Sequence, residues 1–330
     1  SPNFRKLISR TADRGKPQYT LPCVGLLAPD RQYYWHVRAR DEKGVWGPWS
    51  ETWSFTPRAP TPPVDVTLKL NADRGVGTLR WKPNPEGRTP VKYRVYGSDE
   101  KGFSVSDEPY AVMDFFPGDW RKAELGGRFP ANFVAETRDL ELVVVGEGLK
   151  LPNTNKAFYR VVAVDSQGNR SWSSEYASAP RPFIYTNPLT VSRVGVPYRY
   201  QISTIRSLGD LGYRPVSREQ VSDFWPVEER PAILSGPVWN LQVVKFWDEQ
   251  LPQFSLLQGP AWLTIDRASG LLTGTPVAEG RVRVVVEARL QREVEELDLD
   301  ALSWGLRRVT GKTTEKMGPA KQRFSIEVRQ

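Results

Sequence analysis

Apolar residues occupy every second position in several short stretches of the chain, and turn residues separate those stretches. Residues 64–68, 77–81 and 91–96 alternate in this way, and Pro, Asn, Asp and Gly lie between them. A period of two places the apolar side chains on one face of a strand, whereas a helix has a period of 3.6. The pattern therefore predicts an all-β protein whose strands each turn one face to a core.

One strand pattern occurs twice at a constant offset. Residues 35–44 and 159–168 have an aromatic residue, Val, Ala, Asp and Gly at matching positions, and Trp-Ser follows in both copies. An internal repeat indicates two copies of one structural unit. Here the unit is a half-buried strand, a tight Asp-x-x-Gly turn and a return strand.

The motif order in residues 60–185 resembles that of a fibronectin type III domain. Leu79-x-Trp81 lies on the second predicted strand, and Tyr93-Arg94-Val95-Tyr96 lies on the third. The resemblance implies a sandwich of two antiparallel sheets. Two features depart from the family: Ala157 occupies the position of its corner tyrosine, and residues 102–139 contain an insertion.

Residues 1–59 resemble only the C-terminal part of the same domain type. Tyr33 supplies the corner tyrosine of this copy, but the first strands are missing. A sandwich without them exposes an apolar sheet face and unpaired strand edges. We therefore expect the sequence to be the C-terminal part of a larger multidomain protein.

Residues 186–330 resemble an immunoglobulin-like domain of the dystroglycan-type cadherin-like kind. The resemblance depends on Pro260-Ala261-Trp262-Leu263 and on the string from Ser269 to Pro276, with insertions at 203–240 and 289–321. A short amphipathic helix is expected in the second insertion, because four apolar residues have helical spacing. They are Val294, Leu297, Ala301 and Trp304. The expected fold is all-β, with tandem immunoglobulin-like β-sandwiches and short helical insertions.

Charge and composition limit the classes of function. The chain has 46 basic and 38 acidic residues in 330, a formal charge of +8, but no groove-reading or base-stacking motif accompanies that charge. We therefore expect no nucleic-acid partner. No apolar run is long enough for a membrane span. Twelve tryptophans are present, and Trp35, Trp81, Trp172 and Trp262 occupy positions that normally face a core.

Few residues offer catalytic chemistry. Cys23 and His36 are the only cysteine and histidine, so a histidine triad or a multi-histidine metal site is excluded. Acidic pairs in the insertions are interpreted as solvated charge. We expect no enzyme activity and no cofactor, although the cadherin-like resemblance leaves calcium open.

Two groups of aromatic residues are candidates for binding. The first resembles the tryptophan box of cytokine-receptor domains, in which guanidinium groups stack between indole rings: Arg38, Arg40, Trp46 and Trp49. We interpret it mainly as a structural ladder, with partner contact as the alternative. The second lies in or beside the insertions and is expected to contact a partner: Phe115, Phe116, Trp120, Trp225, Trp239, Trp247 and Trp304.

These observations predict a non-enzymatic structural and protein-binding module. The family resemblances imply an exported bacterial protein at the cell surface, in the medium or in the periplasm. Its expected partners are other proteins or copies of itself in a surface assembly. The alternative is a carbohydrate-binding accessory region of a secreted, glycoside-active enzyme, because tryptophan rings also stack on sugars.

Overall fold

A computed structural model gives the conformation of residues 31–114, 124–215, 240–298 and 308–330. Within these ranges the regular elements are β-strands, and no helix occurs. The prediction of an all-β protein with several sheets is confirmed. Three parts of the chain are described in turn: the first segment (residues 31–59), the second segment (60–185) and the third segment (186–330).

The first segment contains one antiparallel hairpin, formed by β1 (Tyr33–Trp35) and β2 (Trp53–Phe55). Tyr33 lies opposite Phe55, and Trp35 lies opposite Trp53. Directly opposed residues of an antiparallel pair project to the same side. All four rings therefore share one face of the hairpin.

Seven strands of the second segment form two facing sheets. The strands of this segment are β3 (Val64–Asn71), β4 (Val76–Lys82), β5 (Lys92–Ser98), β6 (Glu100–Lys101), β7 (Tyr110–Asp114), β8 (Glu124–Phe129), β9 (Phe133–Thr137), β10 (Glu141–Val145), β11 (Phe158–Val164) and β12 (Ala177–Ser178). One sheet has the order β10-β4-β3 and the other β12-β11-β5-β9, and β7 pairs with β8 in a separate hairpin. Leu79 and Trp81 of the first sheet share a buried core with Val95 and Val161 of the second. This arrangement is consistent with the β-sandwich class.

The third segment also places two sheets around a core. β13 (Phe183–Ile184) ends the second segment, and the strands of the third are β14 (Val191–Arg193), β15 (Tyr198–Gln201), β16 (Thr204–Ile205), β17 (Gly209–Pro215), β18 (Asn240–Glu249), β19 (Gln253–Gln258), β20 (Leu263–Ile265), β21 (Leu271–Gly274), β22 (Gly280–Leu297) and β23 (Val309–Arg329). The larger sheet has the order β14-β23-β22-β18-β17-β6, with β19 also paired to β22, and the smaller has the order β15-β21-β20. Leu272 of the smaller sheet packs in one core with Val284 and Ile326 of the larger.

The prediction of a helix in residues 289–321 is wrong for the residues that the structure describes, because they form strands. Val294 and Leu297 belong to β22, where they pair with Thr313 and Val309 of β23. The helical spacing of apolar residues did not decide the conformation, because a long partner strand satisfies the backbone of β22 in register. Ion pairs across the two strands, such as Arg292 with Glu315, reinforce the hairpin. Ala301 and Trp304 lie outside the described residues.

The larger sheet of the third segment extends into the second segment. β6 pairs in parallel with β17, with Glu100 opposite Gly209 and Lys101 opposite Asp210. Leu208 also donates its backbone N–H to the carbonyl of Asp99 at 2.7 Å. The two segments are thus joined by backbone hydrogen bonds as well as by the chain itself.

The proline-rich link after the first segment is anchored on the second. Pro60 is buried and forms an isolated bridge with Gly87, and the hydroxyl of Thr61 donates to the carbonyl of Glu86 at 2.5 Å. The side chain of Asn84 donates to the carbonyl of Pro62 at 3.1 Å. These contacts fix the point at which the first segment leaves the second.

Candidate functional site

The two copies of the sequence repeat have the same backbone hydrogen bonds. Ser50 donates its N–H to the carbonyl of Val37 at 2.7 Å, and Ser174 donates to that of Val161 at 2.9 Å. In return each serine hydroxyl accepts the N–H of the same valine, at 3.0 Å and 2.9 Å. The strand and its return segment are therefore held together in the same way in both copies.

The turns of the two copies match as well. Gly44 and Gly168 each donate to the carbonyl of the preceding aspartate, Asp41 or Asp165, at 3.0 Å. The φ angles of the two glycines are +83° and +84°. Such angles favour glycine because a Cβ atom clashes with the backbone in this region. The Asp-x-x-Gly signal in the sequence thus has a direct conformational cause.

The two copies differ in what covers them. In the second segment Tyr159 and Val161 are completely buried, because the β10-β4-β3 sheet packs over them. In the first segment the matching residues, Trp35 and Val37, are 44% and 52% exposed. Trp53 and Phe55 on the same face are also exposed. We call this set, Tyr33, Trp35, Val37, Trp53 and Phe55, the open face.

The rings of the open face are in contact with one another. The centroids of Trp35 and Trp53 are 4.6 Å apart, and those of Tyr33 and Phe55 are 6.0 Å apart. Each pair is tilted rather than parallel. Such ring contacts stabilise a hairpin by about 0.5–1.5 kcal/mol per pair. The open face is therefore an ordered aromatic surface.

The opposite face of the hairpin has the cation–aromatic ladder. The guanidinium carbon of Arg38 lies 4.5 Å from the ring centroids of both Trp46 and Trp49. Arg40 extends the ladder at 5.5 Å from Trp46, and His36 stacks on Trp49 at 4.0 Å with an interplanar angle of 10°. The five side chains alternate between cation or imidazole and indole.

We expect Arg38→Ala to weaken the first segment. The variant loses two cation–π contacts, so the free energy of unfolding of this segment should fall by about 1–2 kcal/mol. Denaturant titration of the full chain, followed by tryptophan fluorescence, measures the change. Arg38→Lys should recover only part of it, since an ammonium group lacks the planar face. Arg58→Ala is the control, and an equal effect of both alanine variants would contradict the ladder.

Tyr159 compensates for the alanine at the corner position. Its hydroxyl donates to the carbonyl of Val144 at 3.0 Å and accepts the N–H of Lys156 at 2.8 Å. Burial raises the pKa of Tyr159, so the phenol remains neutral and able to donate. This side chain ties β11 to β10 of the facing sheet, although Ala157 has no hydroxyl to offer.

Tyr159→Phe should therefore destabilise the second segment. The change removes one of two donors to the buried carbonyl of Val144, which keeps the N–H of Asn155, and takes the acceptor from the part-buried N–H of Lys156, at a cost of about 1–3 kcal/mol. Urea unfolding followed by circular dichroism provides the measurement. Tyr34→Phe removes a hydroxyl that donates to Gln32 on the surface and should have little effect. Equal losses in both variants would refute the assigned role of Tyr159.

A buried ion pair lies where the second and third segments meet. Glu249 on β18 accepts a hydrogen bond from Nε of Arg181, and the exposed fractions of the two side chains are 0% and 9%. The other carboxylate oxygen accepts the N–H of Ser207. The guanidinium of Arg181 lies 4.9 Å from the ring of Phe158 and 5.4 Å from that of Trp247. The charged pair is thus enclosed by aromatic rings and backbone donors.

Of the seven aromatic residues in or beside the insertions that were predicted to contact a partner, the structure describes only Trp247. Trp247 is only 8% exposed and lies between Arg181 and Arg292, so little of its ring is available to a partner. Six others lie outside the described residues, and their partner contacts stay predictions: Phe115, Phe116, Trp120, Trp225, Trp239 and Trp304.

Two of the four tryptophans that were predicted to face a core are exposed. Trp35 and Trp172 are exposed, whereas Trp81 is buried and Trp262 is half-buried. Their positions in the repeat predicted burial, but burial also depends on the facing sheet. Among the described residues no facing sheet covers the hairpin that contains Trp35. No sequence pattern predicts the ion pair of Arg181 and Glu249, because the two residues are far apart in the sequence.

The described part of the chain contains neither a cluster of potential metal ligands nor a helix that could span a membrane. No three His, Cys, Asp or Glu side chains there come close enough to hold a metal ion. Among the same residues, no helix is long and apolar enough to cross a membrane. Comparison with protein-family models and with curated proteins finds no match for the chain. The fold and the open face together define an all-β protein of the sandwich class with an exposed aromatic surface.

Proposed function

We propose that this chain is a non-enzymatic structural and protein-binding module of a larger, exported multidomain protein. Its β-sheet segments hold the open face in a fixed position and present it to a protein partner. The observation that carries the proposal is the exposure of Trp35 and Trp53 on an ordered hairpin. Tryptophan is among the residues most enriched at the energetic centres of protein interfaces.

The segments are proposed to be two fibronectin type III modules and one cadherin-like module, the first module being partial. Support for the second segment is the facing of a three-stranded and a four-stranded antiparallel sheet. Support for the third is the string from Ser269 to Pro276. A Cβ atom on Gly274 would lie 2.0 Å from the carbonyl oxygen of Trp262, and Gly270 has a φ of +72°. Both glycines of the string are therefore required by the fold.

A photo-reactive amino acid at Val37 tests the proposed binding surface. The full chain with this substitution is applied to intact cells and to culture medium of the source organism. We expect covalent adducts with a protein, and none when the same group replaces Val277, which is 77% exposed elsewhere. Equal adducts at both positions, or none at Val37, would overturn the proposal.

Fractionation tests the proposed location and context. Antibodies against the full chain should detect a polypeptide larger than 37.4 kDa at the cell surface, in the periplasm or in the medium. Detection in the cytosol alone would contradict an exported protein. A band at the mass of the chain itself would contradict a larger parent protein, provided that proteolysis is inhibited during preparation.

A carbohydrate-binding accessory region is the second candidate. The adjacent exposed rings of Trp35 and Trp53 favour it, because aromatic rings stack on sugar rings. Electrophoresis in gels containing polysaccharide separates the two candidates. Retardation of the full chain that is lost in Trp35→Ala, without protein adducts at Val37, would support carbohydrate binding in place of protein binding.

A further inference from the structure

Basic side chains lie together on one face of the larger sheet of the third segment. Along residues 281–289 of β22 and 321–329 of β23, alternate side chains point into the core, where Val284 and Ile326 are buried, and the others point to solvent. The solvent-facing positions include six exposed basic residues, which we call the basic face: Arg281, Arg283, Arg289, Lys321, Arg323 and Arg329.

Two acidic residues at the same positions neutralise only part of this charge. Glu287 accepts a hydrogen bond from Arg289 and lies 3.5 Å from Lys321, and Glu327 accepts one from Arg329 at 3.0 Å. Six basic and two acidic side chains leave a surplus of four positive charges, whereas the whole chain has a formal charge of +8. A surplus equal to half of the net charge is therefore concentrated on one sheet face.

Arg283 and Arg323 form no ion pair with a residue that the structure describes. Arg283 lies opposite Ser325, and Arg323 lies opposite Val285, so the two arginines are diagonal neighbours about 7–8 Å apart. Like charges at this distance repel each other, and an anion bound between them removes the repulsion. The hydroxyl of Ser325 lies on the same face and can donate to the same anion.

The rest of the sequence does not provide a matching acidic cover. Residues 1–30 have five basic and two acidic residues, so the basic face would repel them. Residues 115–123 and 299–307 have no surplus of acidic residues. Only residues 216–239, with four acidic and two basic residues, have the opposite charge.

Residues 216–239 are anchored far from the basic face. Pro215 and Asn240, between which they run, pair with each other. From Asn240 the strand β18 leads to Glu249, which pairs with Arg292, and Arg283 lies further along β22 in the same direction. The anchor is therefore about 60 Å from Arg283 along the sheet. A segment of that length with both ends at one place reaches at most about 40 Å.

The side chains of the face indicate which kind of anion it binds. Five of the six basic residues are arginine, whose planar fork holds a carboxylate or sulfate group through two hydrogen bonds. On the adjoining strand β19, exposed Ser255 and Gln253 lie opposite Glu287 and Arg289. Neutral groups that bind hydroxyls thus border the charged ones. Acidic polysaccharides offer this combination of oxyanions and hydroxyl groups.

Nucleic acid and lipid fit the face less well. None of the solvent-facing residues of the basic strands is aromatic, whereas single-stranded nucleic acid is held by stacked bases. β14 and β19 flank the two strands, so these strands do not form a free ribbon that could enter a major groove. Val285 is the apolar residue at these positions, and it is half-buried, so the face has no protruding apolar group to insert into lipid.

We infer that the basic face binds an acidic polysaccharide, a sugar polymer with carboxylate or sulfate groups. Arg283 and Arg323 hold one oxyanion between them, and the surrounding basic residues attract its neighbours along the polymer. Ser255 and Gln253 bind sugar hydroxyls. This site lies on the third segment and is independent of the protein-binding function proposed for the open face.

Three polymers test the inference with the full chain: polygalacturonate, which carries carboxylates, dextran sulfate, and neutral dextran. We expect saturable binding to the acidic polymers, with an affinity that falls at least about tenfold when salt rises from about 50 to 200 mM. Binding to one acidic polymer alone would identify carboxylate or sulfate as the group recognised. No binding to either, or equal binding to neutral dextran, overturns the inference.

The double variant Arg283→Gln with Arg323→Gln should bind the acidic polymer at least about tenfold more weakly, because both guanidinium forks are lost. Arg74→Gln with Arg138→Gln is the matched control, since it removes the same charge from exposed positions of the second segment. The control should bind nearly as tightly as the unchanged chain. Circular dichroism verifies the fold of both variants, and equal losses in the two would overturn the inference.

Two further comparisons separate this site from other ligands and from the open face. Trp35→Ala should bind the acidic polymer normally, and a loss there without a loss in the arginine variant would assign sugar binding to the open face and overturn the inference. Single-stranded DNA or phosphatidylglycerol vesicles that bind the same arginines more tightly than both polysaccharides would also overturn it. None of these outcomes affects the protein adducts expected at Val37, which test the proposed function separately.

Discussion

Replacing Glu249 with alanine is expected to lower the free energy of unfolding by about 3–5 kcal/mol, because Arg181 would remain buried without its counter-ion. The carboxylate is fully enclosed, and the guanidinium is 9% exposed between Phe158 and Trp247. The variant also removes the acceptor for the N–H of Ser207. Urea unfolding of the full chain, followed by circular dichroism, measures the loss.

The exposed ion pair between Arg80 and Glu141 provides the control for this prediction. Its atoms are 2.8 Å apart, but its side chains are 48% and 56% exposed. Pairs of this kind contribute about 0–1 kcal/mol, so Glu141→Ala should change stability little. Glu249→Gln keeps an acceptor for Ser207 but removes the charge, so it should fall between the two. A similar loss for Glu141→Ala and Glu249→Ala would contradict the importance of burial.

Replacing Trp247 with alanine should have an effect of similar size, about 3–5 kcal/mol, because a large buried side chain leaves a cavity. The ring also lies 5.4 Å and 5.2 Å from the guanidinium carbons of Arg181 and Arg292, which would lose an aromatic face. The same urea titration measures the change.

Trp247→Phe and Trp49→Ala are the comparisons for this second prediction. The phenylalanine keeps an aromatic face, so it should recover part of the loss. Trp49 is 50% exposed, and its removal should cost no more than about 2 kcal/mol through the lost contact with Arg38. If Trp247→Ala costs less than Trp49→Ala, Trp247 does not anchor the joint between the segments.

The strands of the fold were predictable where one face is buried and the other is solvated. In β4 the buried residues Leu79 and Trp81 alternate with exposed Arg80 and Lys82, which is the pattern that a half-buried strand produces. The pattern failed in β22. There Val294 and Leu297 fit a helical period by chance, and the partner strand that decides the conformation is a separate stretch of sequence.

The candidate sites were predictable only through local contacts. Arg38 and Arg40 stand two residues apart on one strand, and the tryptophan box follows after a short turn, so their proximity could be inferred from spacing. Arg181 and Glu249 are 68 residues apart, and no local pattern connects them. The exposure of Trp35 could not be read from its own neighbours either, because it depends on a sheet that the first segment lacks.

The parallel pairing of β6 with β17 has a consequence for distances. A single hydrogen-bonded sheet runs from β6 in the second segment to β23 in the third, and the buried pair of Arg181 and Glu249 closes the same junction. Hinge motion between the segments would have to break these bonds. A partner bound to the second segment and another bound to the third would therefore stay at a constant distance from each other.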